Sequence, residues 1–207
     1  MSASTETPGN TSLTAFSTSE PGSAAQRDRR RRIIRATIAL ASKGGYEAVQ
    51  MREVADRADV ALGTLYRYFP SKIHLLVSSL AAEFERAQDR TDRSRIPGNT
   101  SRERVLHVLG RTTRSLQRDP NLTEAMTRAF MFADTSAAAE VDTVGRLMEQ
   151  MLTTAMSGHE EPTEEQRSIA RVIGDVWLSN LVAWVTRRAS ATDVANRLEL
   201  AVRLLLR

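Results

Sequence analysis

A chain of 207 residues with 41% hydrophobic content and no cysteine is long enough for one large core or two unequal domains, and it excludes disulfides, thiolate metal sites and a cysteine nucleophile. The net charge of +4 is unevenly placed. Residues 26–74 carry 11 basic and 5 acidic groups whereas residues 75–207 carry 18 of each, so the positive field belongs to one segment, as a phosphate partner requires.

Residues 1–25 are dense in Ser, Thr, Pro and Gly. They offer too little apolar surface to offset the entropy of ordering, so a flexible N-terminal tail is expected. The segment from Gln26 begins with a basic cluster, Arg27 and Arg29 to Arg32, and continues as an amphipathic helix with Ile33, Thr37, Leu40 and Ala41 on one face. Gly44-Gly45 should end it. Arg29 and Arg30 are candidate phosphate contacts, because a basic cluster beside a DNA-reading helix gains from Coulombic attraction to a duplex.

Met51 to Lys72, MREVADRADVALGTLYRYFPSK, has the pattern of a helix-turn-helix. Val54, Ala55 and Ala58 fall on one helical side, Asp59-Val60-Ala61 breaks the run, and Leu62 to Phe69 begins a second short helix. Leu65 and Phe69, four apart, can pin that helix inward, leaving Gly63, Thr64, Tyr66, Arg67 and Tyr68 outside. Tyr66, Tyr68 and Lys72 suit phosphate oxygens, while Thr64 and Arg67 can reach base edges, Arg67 because a guanidinium can bridge guanine O6 and N7. Gly63 would let backbone approach DNA closely.

After Pro70, Ser71 is a candidate N-cap for a long helix to about Arg90, with Ile73, Leu76, Val77, Leu80, Phe84 and Ala87 as its inward stripe. Residues 95–99 interrupt the pattern, and Thr100 with Glu103 forms a capping box for a helix that closes before Pro120. Asn121 with Glu124 is read as the cap of a short helix bearing Leu122, Met126 and Phe130. A further helix is expected from about Ser136 to Met156, and Thr163 with Gln166 caps another. That one carries the most regular apolar pattern in the chain, Ile169 to Val185, followed by a last helix with Val194, Leu198, Ala201, Leu204 and Leu205. No strand signal survives. The expected fold is all-α with about nine helices, divided into a tail (1–25), a helix-turn-helix domain (26–74) and a larger helical bundle (75–207).

GYEAVQMREVADRADVALGTLYRYFPSK resembles the N-terminal domain of the TetR family of bacterial transcriptional repressors, and GTLYRYFPSK is a specific match. The resemblance implies a homodimer that reads a near-palindromic double-stranded DNA operator, with contacts from Ala61, Leu62, Gly63, Thr64, Tyr66, Arg67, Tyr68 and Lys72. It further implies a small-molecule effector in the C-terminal domain and dimerisation through the last two helices. Met51 stands where the family often has a capping Ser or Thr, and Ala61 where it often has Ser; neither can cap, so phosphate contact there falls to backbone amides. Likeness in QRDRRRRI, NLTEAMTRAF and DVWLSNLVAWVTRRASATDV extends to members of this family that repress sterol and cholesterol catabolism genes, which implies a steroid coenzyme A thioester as effector.

In the larger domain Met126, Phe130, Met131, Met148, Met151, Trp177 and Trp184 are candidate lining of an apolar cavity, since flexible methionines suit an adaptable pocket; the bland alternative for each is simple core. Asn180, between two tryptophans on an apolar face, requires a polar partner from ligand or from a second subunit. Arg128, Arg146, Arg187 and Arg188 are unranked candidates for holding the nucleotide of a thioester. Three scattered histidines, no metal-ligand spacing and no phosphate loop argue against an enzyme, a metal or a bound cofactor. No apolar run approaches the roughly 20 residues that span a bilayer, and the start of the chain lacks the order of a secretory signal, so a cytoplasmic protein with no membrane partner is expected. A repressor answering to another apolar ligand, such as a fatty-acyl coenzyme A, and a ligand-independent architectural DNA binder stand as alternatives.

Overall fold

A computed structural model describes residues 24–92, 96–158 and 160–206. Among the described residues there are nine α-helices and one 3₁₀ turn: α1 (Ala24–Ala48), α2 (Met51–Arg57), α3 (Leu62–Tyr68), α4 (Lys72–Asp92), α5 (Ser101–Gln117), α6 (Pro120–Met131), the turn Thr135–Ala137, α7 (Ala138–Ser157), α8 (Glu164–Val185) and α9 (Ala191–Leu205). The expected tail lies, as far as residue 23, outside the described residues.

α1 does not stop at Gly44-Gly45 but kinks there and regains a helical turn to Ala48; Gly45 has φ 68°. A side chain is strained in that region. A Cβ on Gly45 would also lie 3.1 Å from Glu124 Oε2, so the kink lets α6 approach. Ile33, Thr37, Leu40 and Ala41 are all buried, as the periodicity requires.

α2 and α3 are only seven residues each, too short to be stable alone. Val54, Ala55, Leu65 and Phe69 are buried to within 1%, and burying each of the larger two stabilises by about 1.5–3 kcal/mol. The head is therefore held by packing, and neither α2 nor α3 has a side-chain cap. The N-cap of α2 is Gln50 and Met51 is the first helical residue, a shift of one from the sequence reading.

α4 is the axle of the molecule. It packs against α1, α6 and α7, and residues 74–81 are buried on every side, which an inward stripe alone does not predict. α5 sits on α7 and α9, α7 on α8, and α8 on α9. The capping boxes at Thr100/Glu103 and Thr163/Gln166 are both present, and Ser190 with Asp193 forms a third at α9. α6 starts earlier than expected: Asp119 is the cap, accepting from Leu122 N–H, with Pro120 at the first position. Asn121 and Glu124 instead reach α1, through Asn121 Nδ2 to Ser42 O (3.1 Å) and Glu124 Oε2 from Tyr46 N–H (3.2 Å).

α8 is long and apolar enough by composition to cross a membrane, with mean hydropathy 1.2. Here it is a bundle helix whose charged side carries Arg171, paired with Glu164 at 2.7 Å.

Candidate DNA interface and effector cavity

α3 displays its polar side to solvent. Tyr66 is 46% exposed, Gly63 and Arg67 are exposed, and Leu62, Thr64 and Tyr68 are half-buried around the anchoring Leu65. Among the described residues nothing lies within 4 Å of a Cβ built on Gly63, so their packing does not demand a glycine there. Ala61 caps α3 from extended backbone (φ −63°, ψ 142°) with no side-chain bond, leaving early amides of the helix for an outside acceptor.

α1 supports this surface with its basic end. Arg30 stacks over Phe69 with its Cζ 5.6 Å from the ring centroid, which couples the arginine cluster to the residue that anchors α3. Arg32 is a brace rather than a free cation: its Nη1 donates to Ala58 O at 2.6 Å and lies 3.7 Å from Asp59 Oδ2. Arg29 is half-buried and Arg30 exposed.

Lys72 is half-buried at the start of α4. Its Nζ lies 4.0 Å from the centroid of the Tyr46 ring, and Arg128 of α6 lies 4.3 Å from the same centroid. Burial against these groups lowers the Lys72 pKa, with Glu47 opposing and Arg128 reinforcing the shift. Next to it, Ser71 Oγ and His74 Nδ1 are 2.9 Å apart and His74 Nε2 is 3.0 Å from Ser136 O. A carbonyl only accepts, so Nε2 carries a proton and donates it to Ser136 O. The start of α4 is thus tied to the turn after α6.

In the larger domain a cavity of about 560 Å³ opens between α4, α6, α7 and α8, within the range of small-molecule sites. Leu80, Phe84, Phe130, Val144, Met148, Trp177 and Leu181 supply its apolar wall, and Asp142, Arg146, Glu149, Arg171 and Asp175 its polar groups. The Trp177 ring lies against Phe84 with centroids 5.7 Å apart, and its Nε1–H donates to Thr113 Oγ1 at 2.9 Å. Glu149 faces Arg167 and Arg171 at 3.8 and 3.9 Å.

Comparison with known proteins fits both halves. Residues 33–78 match the family described as bacterial regulatory proteins, tetR family, and residues 98–205 match the tetracyclin repressor-like C-terminal domain. The chain is 65% identical over 196 residues to the HTH-type transcriptional repressor KstR of Mycolicibacterium smegmatis, covering 95% of this chain and 96% of that one. To KstR of Rhodococcus jostii it is 69% identical over 182 residues, covering 88% and 84%. The chain belongs to the TetR family of transcriptional repressors. A crystal structure of a TetR transcriptional regulator from Rhodococcus sp. RHA1 superposes with TM-score 0.81 at 36% identity, covering 88% of this chain and 97% of that one. The Bacillus subtilis FadR complex with stearoyl-CoA, at 20% identity, TM-score 0.59, and coverage of 85% and 97%, shares the fold. TetR-family proteins are regulators, so the chain is a repressor similar to KstR and not an enzyme.

In this TetR-family chain the cavity gathers some of the expected lining and leaves out the rest. Phe130, Met148 and Trp177 line it. Met126 and Met151 are buried outside the lining, with Met151 Sδ accepting from Thr112 Oγ1 at 3.6 Å. Met131 is 45% exposed. Trp184 is half-buried, and Asn180 is buried, its Nδ2 donating to Val176 O at 2.8 Å while Oδ1 has no hydrogen-bond partner; neither lines the cavity. Of the four unranked arginines only Arg146 lines it. Arg128 is bound to Glu47 at 3.0 Å, and Arg187 and Arg188 follow α8 at its far end. Leu80 and Phe84 read as core in the sequence and line the cavity instead, and Gly145 and Gly174 line it unforeseen from α7 and α8. A glycine inside each of two facing helices was the available signal, since mid-helix glycine costs about 1 kcal/mol relative to alanine.

Proposed function

We propose that this repressor acts as a homodimer on a near-palindromic operator controlling sterol or cholesterol catabolism genes, and that a steroid coenzyme A thioester in the cavity releases it. The observation that carries the reading is the 65–69% identity to the KstR repressors over 88–95% of the chain, which extends through the effector domain. The apolar wall from Leu80 to Trp177 suits a rigid ring system, and Arg146 and Arg171 at its polar side suit thioester phosphates. Those phosphates must displace carboxylates, because Arg171 pairs with Glu164 and faces Glu149.

Thr64 and Arg67 read bases, and Arg29, Arg30, Tyr66, Tyr68 and Lys72 hold phosphates, with Ala61, Leu62 and Gly63 bringing backbone close and Met51 packing at the start of α2. The partner subunit covers the outer faces of α8 and α9, where Val172, Leu200 and Leu204 are 46%, 46% and 64% exposed. Such a two-fold four-helix contact would bury apolar surface that the single chain leaves in water. The repressor works in the cytoplasm, where its operator is.

By linkage the effector must bind the DNA-free conformation more tightly, and operator must weaken effector by the same factor. The test titrates operator complexes with steroid-acid thioesters, free steroid acids and fatty-acyl thioesters in parallel. Release by steroid-acid thioesters supports the reading, whereas release by fatty-acyl thioesters alone removes the sterol assignment and leaves the repressor. The cavity weighs against a ligand-independent architectural binder.

A further inference from the structure

We infer that Arg128 keeps Lys72 available to DNA by occupying the carboxylate of Glu47, and that displacement of α6 returns that carboxylate to Lys72 and withdraws a phosphate contact. The inference rests on the reading of the chain as a DNA-binding repressor with an effector cavity.

Four charged side chains from three helices meet around the Tyr46 ring. Lys72 and Arg128 both lie over it, at 4.0 and 4.3 Å from its centroid. Arg128 binds Glu47 at 3.0 Å and lies 3.9 Å from Glu124. Glu124 in turn accepts from Tyr46 N–H at 3.2 Å, an approach that Gly45 makes possible. The cluster is two cations and two carboxylates, so the carboxylates are shared by the cations. While Arg128 holds Glu47, the Lys72 ammonium has a ring face and a half-buried site but no ion pair of its own among the ion pairs of the described residues. An ammonium in that condition has reason to leave for a phosphate oxygen, because desolvation disfavours the charge where it is; its pKa is lowered by burial, with Glu47 pulling the other way. Remove Arg128, and the Glu47 carboxylate is left for Lys72, while Glu124 stays bound to the Tyr46 N–H.

The same helix reaches the cavity. Thr127 and Phe130 line it, while Glu124 and Arg128, four residues apart, face Tyr46 from another side of α6. A ligand pressing on Phe130 moves Arg128 as part of one rigid element. Arg128 and Glu47 are thus positioning residues for Lys72.

The experiment uses full-length protein and a duplex that the wild-type chain selects from a randomised library, with affinity measured across a salt series. Lys72→Met should shallow the slope of log affinity against log salt by about one for each Lys72 in the complex. Arg128→Gln should shallow it in the same direction, and Arg128→Gln/Glu47→Gln should regain the wild-type slope. In the Lys72→Met background Arg128→Gln should change nothing further. An unchanged slope in Arg128→Gln, or a loss that persists when Glu47 is also removed, overturns the inference. If Arg128→Gln fails to fold, Glu47→Gln decides: Lys72 is already unpaired while Arg128 holds Glu47, so the wild-type slope should persist, and a steepening that Lys72→Met abolishes would show Glu47 withholding Lys72 despite Arg128 and overturns the inference. A wild-type chain that selects no duplex overturns the repressor reading beneath it, a result distinct from normal binding with an insensitive slope.

Discussion

Trp177 Nε1–H donates to Thr113 Oγ1 across 2.9 Å, so a tryptophan of the cavity wall is fixed from behind by α5. Both groups are buried. Thr113→Val leaves the indole N–H without its acceptor and should cost about 1–3 kcal/mol of unfolding free energy. Effector affinity should fall as well, because the ring is no longer held in one orientation against Phe84. Denaturant unfolding and effector titration check the two effects, and a full loss of affinity with unchanged stability would mean that Thr113 itself meets ligand.

Gly63 separates stability from function. Among the described residues nothing lies within 4 Å of its would-be Cβ, so Gly63→Ala should stabilise the fold by about 0.5–1 kcal/mol through helix propensity. It should weaken operator binding if backbone approaches DNA there. A variant with raised stability and undiminished binding would remove Gly63 from the interface.

Arg67 and Lys72 have different expected duties. Arg67→Ala should cost about 1–3 kcal/mol against the preferred sequence and relax discrimination at one base position, whereas Lys72→Ala should weaken binding to all sequences alike. Selection from a randomised duplex pool with each variant distinguishes them. Uniform losses for both would reduce Arg67 to a phosphate contact.

Two carboxylates contribute to the pH dependence of stability in acid. Asp193 is held below the usual carboxylate range by hydrogen bonds from the Ser190 side chain and backbone, and Asp134 by those from Ser136. A folded-state pKa below the unfolded one means that the stabilisation is present above the ordinary carboxylate pKa and is lost as pH falls through the depressed value. Asp193→Asn should therefore show a shallower loss of stability in acid, measured as denaturation midpoint against pH. An unchanged slope would mean that the cap at α9 carries none of the pH dependence.

Local sequence signals carried the helices further than they carried the sites. Thr100/Glu103 and Thr163/Gln166 were legible because a capping box is complete within four residues. Pro120 misled, since proline ends one helix and opens the next with equal facility; Asp119 before it was the sign of the second. The outward side of α3 was legible because Leu65 and Phe69 fix its inward side. Lys72 was not: its surroundings come from Tyr46 and Arg128, on helices distant in sequence, and no local pattern encodes that meeting. The cavity was half legible. Residue type selected Met126 and Met151, which are core, because a methionine on an inward stripe looks the same whether it meets a void or a neighbour. Gly145 of α7 and Gly174 of α8, which line the void, carry no apolar signal at all.

In the proposed mechanism cavity and operator share one conformational equilibrium. The most direct measurement is the dissociation constant of a steroid-acid coenzyme A thioester for the repressor alone and for its operator complex. Binding to the complex should be weaker, by the factor through which the same thioester weakens operator. Equal affinity in the two states would contradict it.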